Sequence, residues 1–226
     1  FDIDLDRVLH TPITNVEELK FDLVGQLESL ERDDKVIVVI DSIGNLASKK
    51  ELEDAINEKS VADMSRAKAL KGLFRMTTPY LAMKNIPVLA VNHTYKEIGL
   101  FPRDIVGGGT GLYYSADNIW IIGRQQDKKG TEIQGYHFII NVEKSRYVKE
   151  KSKIPITVSW EGGVKNYSGL LDIAMVGDYI TKPSPGWYAV VDKRDGSVGA
   201  KVRHETTLTK EFWDPILTDD FKNYIK

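Results

Sequence analysis

A chain of 226 residues, 42% apolar and 28% charged, is long enough for one large domain or a domain with a small appendage, and this composition excludes wholesale disorder and collagen-like structure. It holds no cysteine, which excludes a disulfide framework or a thiolate metal site and is compatible with a reducing cytoplasm. With 33 acidic against 31 basic residues the net charge is −2, so any grip on nucleic acid must come from local patches.

In chain order, the first periodic segment starts at Val16. Leu19, Leu23, Leu27 and Leu30 follow at spacings of three or four, the stripe of an amphipathic helix. Asn15 is the expected N-cap, with Glu18 three residues on in an arrangement like a capping box. Val36-Ile37-Val38-Val39-Ile40 then reads as a strand ending in Asp41-Ser42. A second helix is expected over about 60–83, with Val61, Met64, Leu70, Phe74 and Leu81 on one face and Pro79 kinking it or ending its regular part. Lys68, Lys71 and Arg75 form a basic stripe down another side.

Val88-Leu89-Ala90-Val91 is the next strand and ends in Asn92-His93. Ile119-Trp120-Ile121-Ile122 is another and ends in Gly123-Arg124. Unbroken apolar runs of this length suit strands buried on both faces of a parallel sheet. None is long enough for a membrane span, and no signal segment opens the chain. Residues 136–142 and 156–160 alternate and read as further strands. Turn signals at Pro183, Pro185-Gly186 and Asp195-Gly196 precede short helices expected near Lys210 and Asp219. This order is that of an α/β fold, in which ligands sit at the carboxyl ends of the strands.

Four motifs carry chemistry. A buried strand ending in Asp41-Ser42 has the pattern of a Walker B segment, which aims a carboxylate at Mg²⁺; it equally suits a core strand ending in a capping Asp. Asn92-His93-Thr94 ends a strand in groups that can hydrogen-bond a phosphate, or in an ordinary hinge histidine. Gly107-Gly108-Gly109-Thr110-Gly111 precedes a helical start and suits an anion, or a flexible loop. It is not a Walker A loop, because the chain contains no Gly-Lys pair. Val142-Glu143-Lys144-Ser145-Arg146 places two cations on one side of a strand, fit for a phosphate or for a charge-protected edge. The four histidines show no metal-ligand spacing.

In their order these motifs, with the stretch from Ala47-Ser48-Lys49-Lys50-Glu51 to Met64, Asn85-Ile86-Pro87, Tyr114-Ser115-Ala116-Asp117 and Tyr167-Ser168-Gly169-Leu170-Leu171-Asp172, resemble the RecA-type DNA recombinases, most closely the UvsX recombinases of T4-like phages. The resemblance covers nearly the whole chain and weakens after Val190. It implies a RecA-like P-loop ATPase core over residues 1–180, with a mostly parallel central sheet flanked by helices, and a small C-terminal hairpin and helical extension over 181–226.

The resemblance also implies a set of roles. Asp41 is the Walker B carboxylate, holding Mg²⁺ through water, with Ser42 beside the nucleotide. His93 reads the γ-phosphate and relays it to a second DNA loop at 95–110, which is often disordered without DNA. Gly108 and Gly109 offer backbone amides to DNA phosphates, and Lys96 and Arg103 add charge. The first DNA loop spans 46–60 and carries Lys49 and Lys50. Lys68, Lys71 and Arg75 face DNA inside a filament. Lys144 and Arg146 reach the neighbouring subunit's ATP, Tyr114 couples subunits at the interface, and Trp160 contacts the base. Tyr113 departs from the bacterial pattern, which has lysine there.

The activity so implied is ATP- and Mg²⁺-dependent strand exchange by filaments on single-stranded DNA, pairing it with double-stranded DNA. It serves homologous recombination, repair and recombination-dependent replication in the cytoplasm of a phage-infected bacterium. The partners are mediator and single-stranded-DNA-binding proteins of the phage, with no membrane. Phe1-Asp2-Ile3-Asp4 matches the segment before the helix that leads to Walker B. Walker A and the catalytic glutamate precede that segment in the family, so these residues alone are expected to be inactive in ATP hydrolysis. The alternatives are a ring helicase of the same fold and a non-catalytic single-stranded-DNA-binding or oligomerisation module.

Overall fold

The computed structural model describes residues 3–58, 64–100 and 102–225. The chain divides into two compact units between Ile119 and Trp120.

In the first unit, α1 (Val16–Ser29) forms where the leucine stripe places it, burying Val16, Leu19, Leu23 and Leu27. Asn15 caps it, its side-chain oxygen accepting from the Glu18 amide at 2.9 Å. The return contact differs from a capping box. The Glu18 carboxylate accepts from the hydroxyl and amide of Thr14, at 2.6 and 2.8 Å, one residue before the N-cap. Those hydrogen bonds, the hydroxyl's first, hold its carboxyl below the usual range.

The strands β1 (Val38–Ile40) and β2 (Val88–Ala90) pair in parallel, Val39 opposite Leu89. A mostly parallel central sheet is not seen among the described residues: parallel pairing joins these two strands, and the larger sheets described below contain antiparallel pairs. Nor are the apolar runs buried on both faces. Ile40 packs in the core with the leucines of α1 and with Leu70 and Leu73, while Val39 and Leu89 stay 57% and 51% exposed on the other side.

The helix α2 (Lys49–Ile56) occupies most of the segment expected as a DNA loop. Ser48 and Glu51 close a reciprocal capping box at its start. The long helix α3 (Ser65–Lys84) runs through Pro79 without ending. Its core side is Leu70, Leu73 and Thr77; Met64 is exposed, Phe74 is partly buried, and Val61 lies outside the described residues. Lys84 donates to the carbonyls of Leu27, Glu28 and Leu30, which satisfies the end of α1.

The strands β3 (Thr94–Lys96) and β4 (Asp104–Val106) pair antiparallel, so the expected loop at 95–110 contains a hairpin. It leads through the glycines into α4 (Thr110–Ser115).

The second unit carries the sheet β5-β6-β7-β8, which starts with β5 (Asn118–Lys129) at the unit boundary. The alternating segments become β6 (Glu132–Ser145) and β7 (Lys153–Ser159), antiparallel from Gly135 opposite Ser159 to Asn141 opposite Lys153, followed by β8 (Gly163–Val164). After α5 (Leu170–Val176), the strands β9 (Ile180–Ser184), β10 (Trp187–Val190) and β11 (Val202–Arg203) form a second sheet. Pro183, a turn signal in the sequence, sits within edge strand β9, where a missing N–H costs no ladder bond. The short helices α6 (Lys210–Trp213) and α7 (Asp219–Tyr224) stand where the sequence places them. Trp213 and Phe221 are fully buried at the centre of this half. Among the described residues no helix is long and apolar enough to cross a membrane.

Candidate functional site

The chain leaves β1 at Asp41, whose side chain is exposed and makes no ion pair among the described residues. A cis Asp41–Ser42 peptide bond and a 3₁₀ turn over Ile43–Asn45 follow. Ile43 is fully buried, and its amide donates to the Val91 carbonyl at 2.9 Å. Arg66 holds the turn from α3. Its Nε donates to the Leu46 carbonyl at 2.7 Å, and its Nη2 to the carbonyls of Ile43 and Gly44 at 2.9 and 3.0 Å. A planar guanidinium suits such a set of in-plane acceptors. Beyond the turn, the Val16 amide donates to the Ala47 carbonyl, and buried Ser48 contacts Ser65 through hydroxyls 2.5 Å apart. The starts of α1, α2 and α3 are thus tied around Ser48.

The end of β2 meets this turn. His93 Nε2 lies 3.0 Å from Asn45 Oδ1, and Gly44 packs under the imidazole. The His93 carbonyl accepts from the Gly107 amide at 3.0 Å, and Asn92 Nδ2 donates to the Gly107 carbonyl at 2.8 Å. Asn92 Oδ1 is buried and has no hydrogen-bond partner.

Gly108 and Gly109 have φ of +91° and +81°, which favours glycine at both. They lie against α3: a Cβ on Gly108 would come 3.0 Å from Leu70 Cδ1, and one on Gly111 2.8 Å from Lys71 Cβ. The structure therefore brings the Asp41 turn, His93, the glycines and the basic stripe of α3 together in one unit. Lys68, Lys71 and Arg75 are exposed and make no ion pair among the described residues. With residues of α1 they line a groove of about 470 Å³.

Other expected DNA residues have local partners. Lys96 pairs with Asp104 across the hairpin at 2.8 Å, and the Arg103 carbonyl accepts from the Glu97 amide. Ile98 and Leu100, at the hairpin tip, are fully exposed. Lys49 and Lys50 open α2; the Lys49 amide donates to Glu17, and Lys50 pairs with Asp54. Ser60, at the end of the expected first loop, lies outside the described residues. Tyr114 is 70% exposed on α4 and stacks edge-on with Tyr113.

Lys144, Arg146 and Trp160 belong to the second unit. Lys144 is half-buried near the end of β6, and Arg146 is exposed just beyond it. Ser145 stops the strand there, its hydroxyl accepting from the amides of Tyr147 and Val148. Trp160 sits at the opposite end of the β6–β7 ladder, where its amide donates to Gln134 and its indole N–H to the Ile133 carbonyl. Its ring meets Tyr136 edge-on, and the Arg124 guanidinium lies 4.7 Å from the Tyr136 ring centroid. Ten residues of strand separate Gln134 from Lys144, roughly 30 Å.

Arg66 is the residue that sequence reasoning misses. Its partners are backbone carbonyls at 43, 44 and 46, which leave no side-chain pattern to find.

Comparison with known proteins gives the class first. "Protein RecA" of Staphylococcus aureus, from strains JH9 and Newman, is 24% identical over 163 residues, 71% of this chain and 46% of the relative. The more specific match is the "Recombination and repair protein" of Enterobacteria phage T4, 50% identical over 231 residues, 99% of this chain. The family described as "Bacteriophage T4, Recombination and repair protein, C-terminal domain" matches residues 167–225. The resemblance to RecA-type recombinases of the UvsX kind holds along essentially the whole chain. The chain spans 59% of the length of the T4 relative.

Proposed function

We propose that this chain is the core of an ATP-dependent DNA recombinase, which exchanges strands within helical filaments on single-stranded DNA during recombination, repair and recombination-dependent replication. Residues 1–180 are the C-terminal part of a RecA-like ATPase core, with β1 and β2 belonging to a mostly parallel central sheet, and 181–226 are its extension. The observation that carries this reading is a convergence of three segments distant in sequence. The Asp41 turn, the end of β2 at His93 and the glycine loop are joined through Ile43 to Val91, Asn45 to His93 and His93 to Gly107.

The donors suit Mg²⁺–ATP, because an exposed carboxylate beside a hydroxyl is the hard oxygen set that Mg²⁺ prefers. Asp41 would hold the ion through water, with Ser42 beside the phosphates. When bound, the nucleotide supplies the phosphoanhydride whose cleavage drives filament turnover. His93 stands between that position and the loop. Its ring faces Asn45 and its carbonyl holds Gly107, so a shift of the ring displaces the loop. Asn92 Oδ1, buried without a partner beside that loop, is an acceptor that a second loop arrangement would satisfy.

DNA phosphates would meet the amides of Gly108 and Gly109 and the exposed side chains of Lys68, Lys71 and Arg75. Lys49, Lys50, Lys96 and Arg103 stand at the margins, where Lys96 would exchange Asp104 for a phosphate. Each subunit adds few contacts, and the filament multiplies them, so a net charge of −2 is no obstacle. Lys144 and Arg146 would reach the neighbour's nucleotide, and Trp160 would contact the base. Tyr114 would sit at the subunit contact. Double-stranded DNA and phage mediator and single-stranded-DNA-binding proteins complete the partners, in the bacterial cytoplasm.

A salt titration tests the DNA part. Binding of this chain to a fluorescein-labelled oligothymidylate should weaken as NaCl rises, with a log–log slope near −0.7 for each phosphate contact. A flat titration would remove the phosphate contacts.

A further inference from the structure

The sheet β5-β6-β7-β8 carries a polar cluster that none of the roles above uses. Asp127 of β5, His137 of β6 and Thr157 of β7 meet there, with Lys165 just past β8. Asp127 Oδ1 lies 3.2 Å from His137 Nε2, and Asp127 Oδ2 accepts from Lys165 Nζ at 3.3 Å. His137 Nδ1 faces the Thr157 hydroxyl at 2.9 Å. A carboxylate only accepts, so the neutral ring carries its proton on Nε2 and takes the Thr157 hydroxyl on Nδ1. The Asp127 side chain is 20% exposed, less than either partner, and both its oxygens are engaged.

Two members of the cluster stand on the two arms of one hairpin. Thr157 is in β7 and Lys165 follows β8, and the Lys165 amide donates to the Thr157 carbonyl at 2.9 Å. Beyond them Val158 pairs with Val164 and Ser159 with Gly163, and the turn that closes the hairpin starts at Trp160. So short a hairpin is marginal by itself. Its tip is tied to the carbonyls of Ile133 and Gln134 by the indole and amide of Trp160. Its base is tied by the cluster. The long β6–β7 ladder has its own backbone bonds, whereas β8 is an edge strand of two residues. The arm after β8 therefore gains most from the Asp127 carboxylate.

We propose that the Asp127–His137–Lys165 cluster sets the hairpin that presents Trp160, and that Asp127 is a positioning residue for the aromatic that meets the nucleotide base. This deepens the Trp160 reading above and rests on it. Asp127 acts through Lys165 and His137 and touches no nucleotide itself. A base held against Trp160 is held equally before and during phosphoryl transfer, so a loosened hairpin raises KM and leaves kcat alone.

The test has two readouts. In this chain, Asp127→Asn and Lys165→Met should shift the indole N–H signal of Trp160 by NMR and speed its hydrogen exchange, while Lys165→Arg keeps both. The indole of buried Trp213, bonded to the Thr207 carbonyl at 2.6 Å, serves as the control and should not move. In a chimera in which this chain replaces the aligned segment of the T4 relative, Trp160→Ala should raise KM for ATP about 10-fold, the scale of one base–aromatic stack. Asp127→Asn should raise it about 3-fold with kcat unchanged. An unchanged KM in Trp160→Ala overturns the base contact and the positioning role with it. If Trp160→Ala raises KM but Asp127→Asn leaves KM and the Trp160 signal in place, the positioning role alone is wrong. A shift of the Trp160 and Trp213 signals together would make the cluster a general support of the fold and overturn it as well.

Discussion

Gly44 and His93 are in contact so close that a Cβ on the glycine would fall 2.3 Å from His93 Cδ2. Two loops separated by nearly fifty residues therefore meet with no room for a side chain. The contact links the turn after Asp41 to the strand end that leads to the glycine loop.

Gly44→Ala should push the imidazole off Asn45. The expected cost is about 1–3 kcal/mol in urea unfolding, typical of forcing extra volume into a packed contact, together with a shift of the His93 ring resonances by NMR. Unchanged ring resonances would show that the contact is loose.

Arg66 should matter more to the turn than its position on the helix surface suggests. Arg66→Ala leaves the carbonyls of Ile43, Gly44 and Leu46 without this donor, and should destabilise the chain by about 2–4 kcal/mol. Arg66→Lys should recover only a minor part, because an ammonium lacks the planar fork. Equal stability of Arg66→Lys and the parent in urea titrations would contradict the clamp.

These two relationships mark the limit of what the sequence shows. The α1 stripe is legible because Val16, Leu19, Leu23 and Leu27 follow helical spacing behind a capping Asn15. Asp41 and His93 are legible because apolar runs end at them. Arg66 is not, because it bonds to backbone. The hairpin at 94–106 reads as loop because its strands are three residues long. The exposure of Val39 and Leu89 is hidden too, since an apolar run does not say how many faces its neighbours cover.

Tyr179 offers a pH test in the C-terminal half. Its hydroxyl donates to Asp220 at 2.6 Å, and this bond, with burial and the carboxylate's charge, pushes its pKa up to about 12. The folded value lies above the ordinary 10.0, so the associated stability is fully present below pH 10 and is lost as pH rises towards 12. Asp220→Asn should bring the ionisation down, read as tyrosinate absorbance in an alkaline titration; an unmoved titration would contradict the bond's role.

Lys144 and Arg146 can be tested in a chimera in which this chain replaces the aligned segment of the T4 relative. If they act on a neighbour's nucleotide, Lys144→Ala with Arg146→Ala should lower ATP turnover by about 10³-fold or more. The far-ultraviolet circular dichroism should not change. Turnover within a factor of a few of the parent chimera would remove the trans-acting role.

The same chimera provides the most direct measurement of the central claim, its ATP hydrolysis with and without single-stranded DNA. A recombinase core predicts hydrolysis that single-stranded DNA stimulates and that Asp41→Ala abolishes. A folded chimera whose hydrolysis is indifferent to DNA, or survives the loss of Asp41, would contradict it.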